Sequence, residues 1–167
     1  MTVELRPTTA ADRDWCYQLH RAAFRGYVEA IWGWDETVQR GFHDRGFRPE
    51  ITHIITDNGD PIGAITVDRA EGVTYLGRIT IHPHHQGHGI GTQIIGQAIE
   101  QAGARGEPVL LDVLVVNHRA HALFQRLGFR DQYRHGENDI KIRMRRDPTP
   151  SPDRHPTSGA DRGMTAG

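Results

Sequence analysis

The chain predicts an α/β (α+β) domain in which helices lie on both faces of a mixed sheet. Three observations carry this expectation. Short β-branched runs alternate with stretches whose apolar residues recur at helical spacing. The segment "PVLLDVLVV" (Pro108 to Val116) is almost continuously apolar, as a strand buried on both faces would be. A glycine-rich stretch joins a strand directly to an amphipathic helix.

The elements follow in order. "TVELRP" (Thr2 to Pro7) reads as a first strand. Thr9 and Asp12 have capping-box spacing and open a helix, with Trp15, Leu19, Ala22 and Ala23 on one face. "WGWDETVQRGF" (Trp32 to Phe42) predicts a second helix. "ITHIITD" (Ile51 to Asp57) and "PIGAITVDR" (Pro61 to Arg69) form a hairpin about "DNGD". "AEG" then turns the chain into "VTYLGRITIH" (Val73 to His82). Ile90, Ile94, Ile95, Ala98, Ile99 and Ala102 make one apolar helical stripe. After the apolar run, Asn117 starts a helix that Gly128 stops, with Ala120, Leu123, Phe124 and Leu127 inward. "FRDQY" and "NDIKIRM" end the fold as a hairpin, so the order is β-α-α-β-β-β-α-β-α-β-β.

Composition narrows the class. At 167 residues and 37% hydrophobic, the chain has enough apolar surface for one domain. We place that domain at residues 1–146. Residues 147–167, rich in Pro, Ser, Thr and Gly, bury too little to offset their ordering entropy and are expected to be a disordered tail. Net charge is -1 with the signs interspersed, which argues against a nucleic-acid partner. Lys141 is the only lysine, so lysine-base and Schiff-base chemistry have one candidate. Cys16 is the only cysteine, which excludes an internal disulfide and a cysteine zinc site. The N-terminus lacks an apolar leader and no run approaches the ~20 residues of a membrane span. These features predict a cytoplasmic location with no membrane partner.

"HPHHQGHGIG" (His82 to Gly91) concentrates the chemistry, and it reads two ways. Four histidines suggest a metal. Their spacing matches no helical pair such as H-x-x-x-H and no carboxylate lies among them, so we expect no metal. Glycines between a strand and a helix suggest either a tight turn or a cradle in which free N–H groups at the helix start hold an anion. The G-x-G-x-x-G and P-loop patterns both fail here.

A third pattern fits. "QGHGIGT" (Gln86 to Thr92), preceded by "LGRITIHP", resembles the pyrophosphate loop of the GNAT family of N-acetyltransferases. That family's pattern, Q/R-x-x-G-x-G/A, is met by Gln86, Gly89 and Gly91. "VLLDVLVVNHRAHALFQRLGF" (Val109 to Phe129) resembles the family's next strand and helix, and the element order is similar over the whole folded domain.

The resemblance implies a mostly antiparallel sheet splayed between two central strands, with acetyl-CoA bound in the splay as co-substrate. It places Ile79, Thr80 and Ile81 along the pantetheine arm, Gln86, Gly87, His88, Gly89, Ile90, Gly91 and Thr92 around the diphosphate, and Asn117 on the arm from the other side. The implied reaction is direct attack of a small-molecule or peptide amine in a ternary complex, with a backbone N–H near Ile81 for the oxyanion. The chain departs from the family at Phe124, which stands where a tyrosine often protonates the leaving thiolate. Water or His121 would have to substitute. His82, Tyr75, Arg78 and Asp112 are candidate bases; Asp112, amid apolar residues, would have a raised pKa if buried unpaired, or could equally point outward and pair with an arginine. Tyr27, Glu29, Trp32, Trp34, Asp35 and Glu36 fall where the family shapes its acceptor pocket. There the tryptophans and carboxylates would cage a cationic amine, or else pack in the core. The missing tyrosine also supports an alternative, a non-catalytic acyl-CoA sensor. A homodimer stays open.

Overall fold

The computed structural model describes residues 2–149; the tail expected over 147–167 lies outside the described residues from position 150 on. Seven strands form one sheet in the order β1-β2-β3-β4-β5-β7-β6. They span β1 Val3–Pro7, β2 Thr52–Asp57, β3 Asp60–Ala70, β4 Val73–Ile81, β5 Val109–Leu114, β6 Arg130–His135 and β7 Lys141–Arg146. Every neighbouring pair is antiparallel except β4 and β5. The helices are α1 Arg13–Ile31, α2 Glu36–Gly46, α3 Ile90–Ala104 and α4 His118–Arg126.

Local chemistry sets the boundaries. The β2–β3 turn places Asn58 and Gly59 at φ 50° and 88°, and the β3–β4 turn places Glu71 and Gly72 at 54° and 75°. Two successive positive φ values give the hairpin turn whose twist matches the strands. α2 begins later than the expected Trp32 because Gly33 turns left-handed at φ 79° and the Asp35 carboxylate caps the helix, accepting from Val38 N–H at 3.0 Å. The predicted capping box forms at Thr9, but Ala10–Asp12 is one turn of 3₁₀ helix ahead of α1.

The core divides by face. Ile90, Ile94 and Ile95 of α3 and Phe124 of α4 pack with Ile65, Leu76, Val109, Leu111, Val113 and Met144. On the opposite face α1 buries Cys16, Tyr17, Leu19 and Val28. β5 is not buried on both faces, contrary to the expectation from its apolar run. Val109, Leu111 and Val113 are buried, whereas Leu110, Asp112 and Leu114 look onto a partly open face. No helix among the described residues is long and apolar enough to cross a membrane.

One irregularity positions everything that follows. Ile65 pairs with Ile79 and Val67 with Leu76, so Gly77 and Arg78 together oppose Thr66. This is a β-bulge, which re-aims side chains by one position. The Thr66 hydroxyl accepts from Arg78 N–H at 2.8 Å and takes up the displaced donor.

Candidate functional site

The parallel ladder between β4 and β5 runs only from Thr74–Val109 to Leu76–Leu111, while β5 continues against β7 as far as Leu114. Beyond Leu76 the two strands part. The His82 N–H donates to Ile62 O at 2.8 Å, toward β3. Peptide direction alternates along a strand, so the groups of Ile79 and Ile81 face the gap. Gln86 Nε2 donates to Ile81 O from that side at 2.9 Å.

The glycine loop follows at the end of β4. Gly87 and Gly89 adopt φ 80° and 76°, conformations that cost an L-residue with a side chain. Gly91 lies within α3 at ordinary helical angles. The first i→i−4 bond of α3 runs from Gln93 N–H to Gly89 O. The amides of Ile90, Gly91 and Thr92 precede it, and those of Gly87, His88 and Gly89 have no partner among the described residues. Six donors therefore cluster at the positive end of a helix dipole.

α4 faces this loop. The Asn117 carboxamide oxygen accepts from Ala120 N–H at 3.2 Å, which caps α4 and leaves its NH2 free. A Cβ on Gly87 would stand 3.6 Å from the Arg119 guanidinium, so that cation leans over the loop. Arg119, Arg126, Phe124, Asn117, the loop and Ile79–Ile81 enclose a cleft of about 330 Å³, closed on its far side by Phe24 and Tyr27 of α1. Phe124 is 7% exposed and meets Phe129 edge-on at 5.9 Å.

The histidines have other duties. His82 Nδ1 accepts from His84 N–H at 3.2 Å and caps a 3₁₀ turn. Burial, with His84 and His85 beside it, holds its pKa below the usual imidazole value. His121 turns to Asp131 at 2.8 Å and does not line the cleft. The described residues contain no group of three or more His, Cys, Asp or Glu placed to hold a metal.

A second cavity, also about 330 Å³, opens on the other side of β4 and shares Thr80 with the first. Its wall includes Cys16, His20, His43, Asp68, Tyr75 and Arg78. Burial and the nearby Arg78 and His43 bring His20 down to a pKa of about 4; burial and Arg78 also lower His43. Burial and the Asp12 charge push the Cys16 thiol up to about 11, so it is not a nucleophile at neutral pH.

The acceptor cage expected from Tyr27, Glu29, Trp32, Trp34 and Asp35 does not assemble. Trp34 Nε1 donates to Glu36 at 2.8 Å, and Glu36 also accepts from the buried Tyr17 hydroxyl at 2.7 Å. Glu29 pairs with Arg25 at 3.0 Å, Asp35 caps α2, and Trp32 is 50% exposed on the surface. None of these four lines either cavity, and Tyr27 lines the cleft on the loop side.

Of the two readings of Asp112, the structure follows the second, pairing with an arginine. Burial pushes its carboxyl up, but Arg143 at 2.7 Å and His135 at 2.9 Å outweigh this and hold it below the usual carboxylate value. It is an anchored anion and not a base. Sequence reading missed Arg119, Arg126, Phe24, His20 and His43. Arg119 carried a usable signal, since it stands two residues after Asn117 in the first turn of α4. His20 and His43 carried none, because their meeting is tertiary.

Comparison with known proteins identifies the family and the fold. The chain is 29% identical over 140 residues to an uncharacterized N-acetyltransferase of Methanocaldococcus jannaschii, a match covering 78% of this chain and 62% of that protein's length. The fold is similar to that of the PaiA N-acetyltransferase of Thermoplasma acidophilum in complex with coenzyme A (TM-score 0.72, 15% identity, 88% of this chain and 99% of that one). It is also similar to the ribosomal-protein-S18-alanine N-acetyltransferase of Escherichia coli (TM-score 0.65, 18% identity, 92% and 99%). Residues 15–129 match the Acetyltransferase (GNAT) family, and the chain belongs to it.

Proposed function

We propose that the chain is an acetyl-CoA-dependent N-acetyltransferase in which a small-molecule or peptide amine attacks the thioester directly, with both substrates bound together. The observation that carries this reading is the meeting of the free-amide loop, whose Gly87, Gly89, Ile90, Gly91 and Thr92 line the cleft while His88 does not, with an open strand edge and two arginines. The residues fit the co-substrate group by group. A diphosphate needs donors and positive potential, which the loop amides, the α3 dipole and Arg119 supply. The pantetheine arm is an extended chain carrying two amides, and the Ile79 peptide groups can pair with it as an added strand, leaving the Ile81 N–H for the reacting end. The Asn117 NH2 reaches it from β5's end.

The chemistry then falls to few groups. An amine of pKa near 10 must lose a proton before attack. Asp112 is held by Arg143, and His20 is too weak a base, so water in the open acceptor cavity takes that proton. The Ile81 N–H, facing the gap, donates to the oxyanion as the tetrahedral intermediate forms. Phe124 has no proton to give, and His121 is turned away on Asp131, so the leaving thiolate is protonated by solvent.

The test is thiol release from acetyl-CoA with a panel of amines, chelator present. Turnover with any amine is expected, rising with pH toward the amine's own pKa. A second reading, a non-catalytic acyl-CoA sensor, is favoured by Phe124 alone. CoA binding in calorimetry with no turnover on any amine would select it. Phe124→Tyr is expected to raise kcat if the chain is an enzyme.

A further inference from the structure

The acceptor-side cavity holds a cation that acyl transfer leaves without a role. The β4 bulge turns Gly77 and Arg78 to the same side, placing the Arg78 side chain on the cavity wall. A Cβ on Gly46 would stand 3.9 Å from its guanidinium, so the group lies beside the last turn of α2. The negative end of that helix dipole makes the charge tolerable there. Among the described residues no carboxylate pairs with it. The one carboxylate on the wall, Asp68, is 3.4 Å from Arg48. Arg78 is an exposed residue, and desolvation along its side chain draws the guanidinium's pKa below its ordinary value.

Two further groups point the same way. His43 is 4% exposed, lines this cavity, and its Nδ1 has no hydrogen-bond partner; the nearest carboxylate, Asp44, is 3.7 Å away. His20 Nδ1 is also buried and without a partner, although Gln39 lies beside the ring. Buried polar atoms left without partners are costly, and a small turn of either ring toward the cavity would let a ligand supply one. Both imidazoles stay neutral at pH 7, and a neutral imidazole can donate one hydrogen bond to an anion.

We infer that the acceptor amine also carries an anionic group, a carboxylate or a phosphate, which Arg78 holds with His20 and His43 beside it. This rests on the proposed acetyl transfer for its donor and specifies the acceptor. The guanidinium fork matches either oxyanion. Arg78 adjoins Ile79, whose peptide faces the gap, so an anion seated on Arg78 leaves an amine a few atoms away beside the open edge of β4. A polyamine would instead set a second cation against Arg78.

The experiment compares primary amines that share a three-carbon arm: γ-aminobutyrate, 3-aminopropylphosphonate, propylamine and spermidine. The anionic pair is expected to exceed the other two in kcat/KM by about 10- to 100-fold, the worth of a charge-assisted hydrogen bond. Arg78→Gln should erase that gap by raising KM for the anionic amines alone, with CoA affinity unchanged, and Arg78→Lys should retain part of it. The carboxylate and phosphonate arms tell the two anions apart. A second measurement needs no turnover: γ-aminobutyrate should move the His20 and His43 ring signals in NMR, and not in Arg78→Gln. Preference for propylamine or spermidine, a gap that survives Arg78→Gln, or still ring signals would overturn the inference. If the signals move as expected while no amine is acetylated, the anion site stands and the acetyltransferase reading fails.

Discussion

The two cavities flank the same strand, yet they are built from different material. The loop-side cleft offers main-chain donors from one contiguous segment, Gly87 to Thr92, and two arginines on a single short helix. The second cavity, the acceptor side in the proposed function, is walled by side chains from α1, α2, β3 and β4 that come from positions as far apart in the chain as Cys16 and Thr80. A main-chain site depends on backbone geometry and tolerates change in most side chains. A side-chain site depends on identity at each position. One face can therefore keep its donor while the other changes its acceptor.

Substitution should separate the two. The largest effect is expected at Gly89, where φ is 76°. Gly89→Val forces a β-branched residue into the left-handed region, at about 1–3 kcal/mol of strain. It also sets a side chain where the diphosphate would lie. CoA affinity in calorimetry should fall at least ~100-fold, about 2.7 kcal/mol.

The acceptor side should answer to pH next. The folded His20 takes its proton only near pH 4, whereas an unfolded histidine takes it near 6.5. Stability is therefore full above pH 6.5 and is lost as pH falls toward 4, by about 1–3 kcal/mol. Denaturant melts across this range should show the loss, and His20→Gln should flatten it, with CoA affinity unaffected.

Smaller effects sharpen the contrast. Arg119→Ala should weaken CoA binding about tenfold, less so at high salt, because a partly exposed cation is screened. Gly91→Ala should act in opposite directions on the two readouts. Its angles are helical and a Cβ there meets nothing within 4 Å, so the melting temperature should rise by the equivalent of about 0.5–1 kcal/mol. CoA affinity should nonetheless fall, because the methyl projects among the free amides. A rise in both would argue that the loop holds no ligand.

Legibility in the sequence followed the same division. The strand and helix order was readable because period 2 and period 3.6 leave different marks, and Asn58–Gly59 announced its turn. The start of α2 falls later than the stretch from Trp32 predicted, because the left-handed turn at Gly33 and the Asp35 cap set the boundary. Asp112 left two readings open in the sequence, a lone buried carboxylate or an arginine's partner. Its partners Arg143 and His135 lie on β7 and β6, paired across the sheet and distant in sequence. The aromatic cage failed for a similar reason, since Glu36 binds both Trp34 and Tyr17 and so ties α2 to α1.

The chain alone determined the elements, their order and the glycine loop between strand and helix, because each depends on residues within a turn or two of one another. Tertiary structure decided where β4 and β5 part, that Gly77 and Arg78 share one side, and which histidines meet Arg78. Those outcomes hang on strand register, where a one-residue bulge sends a side chain to the opposite face, and no local pattern records that choice.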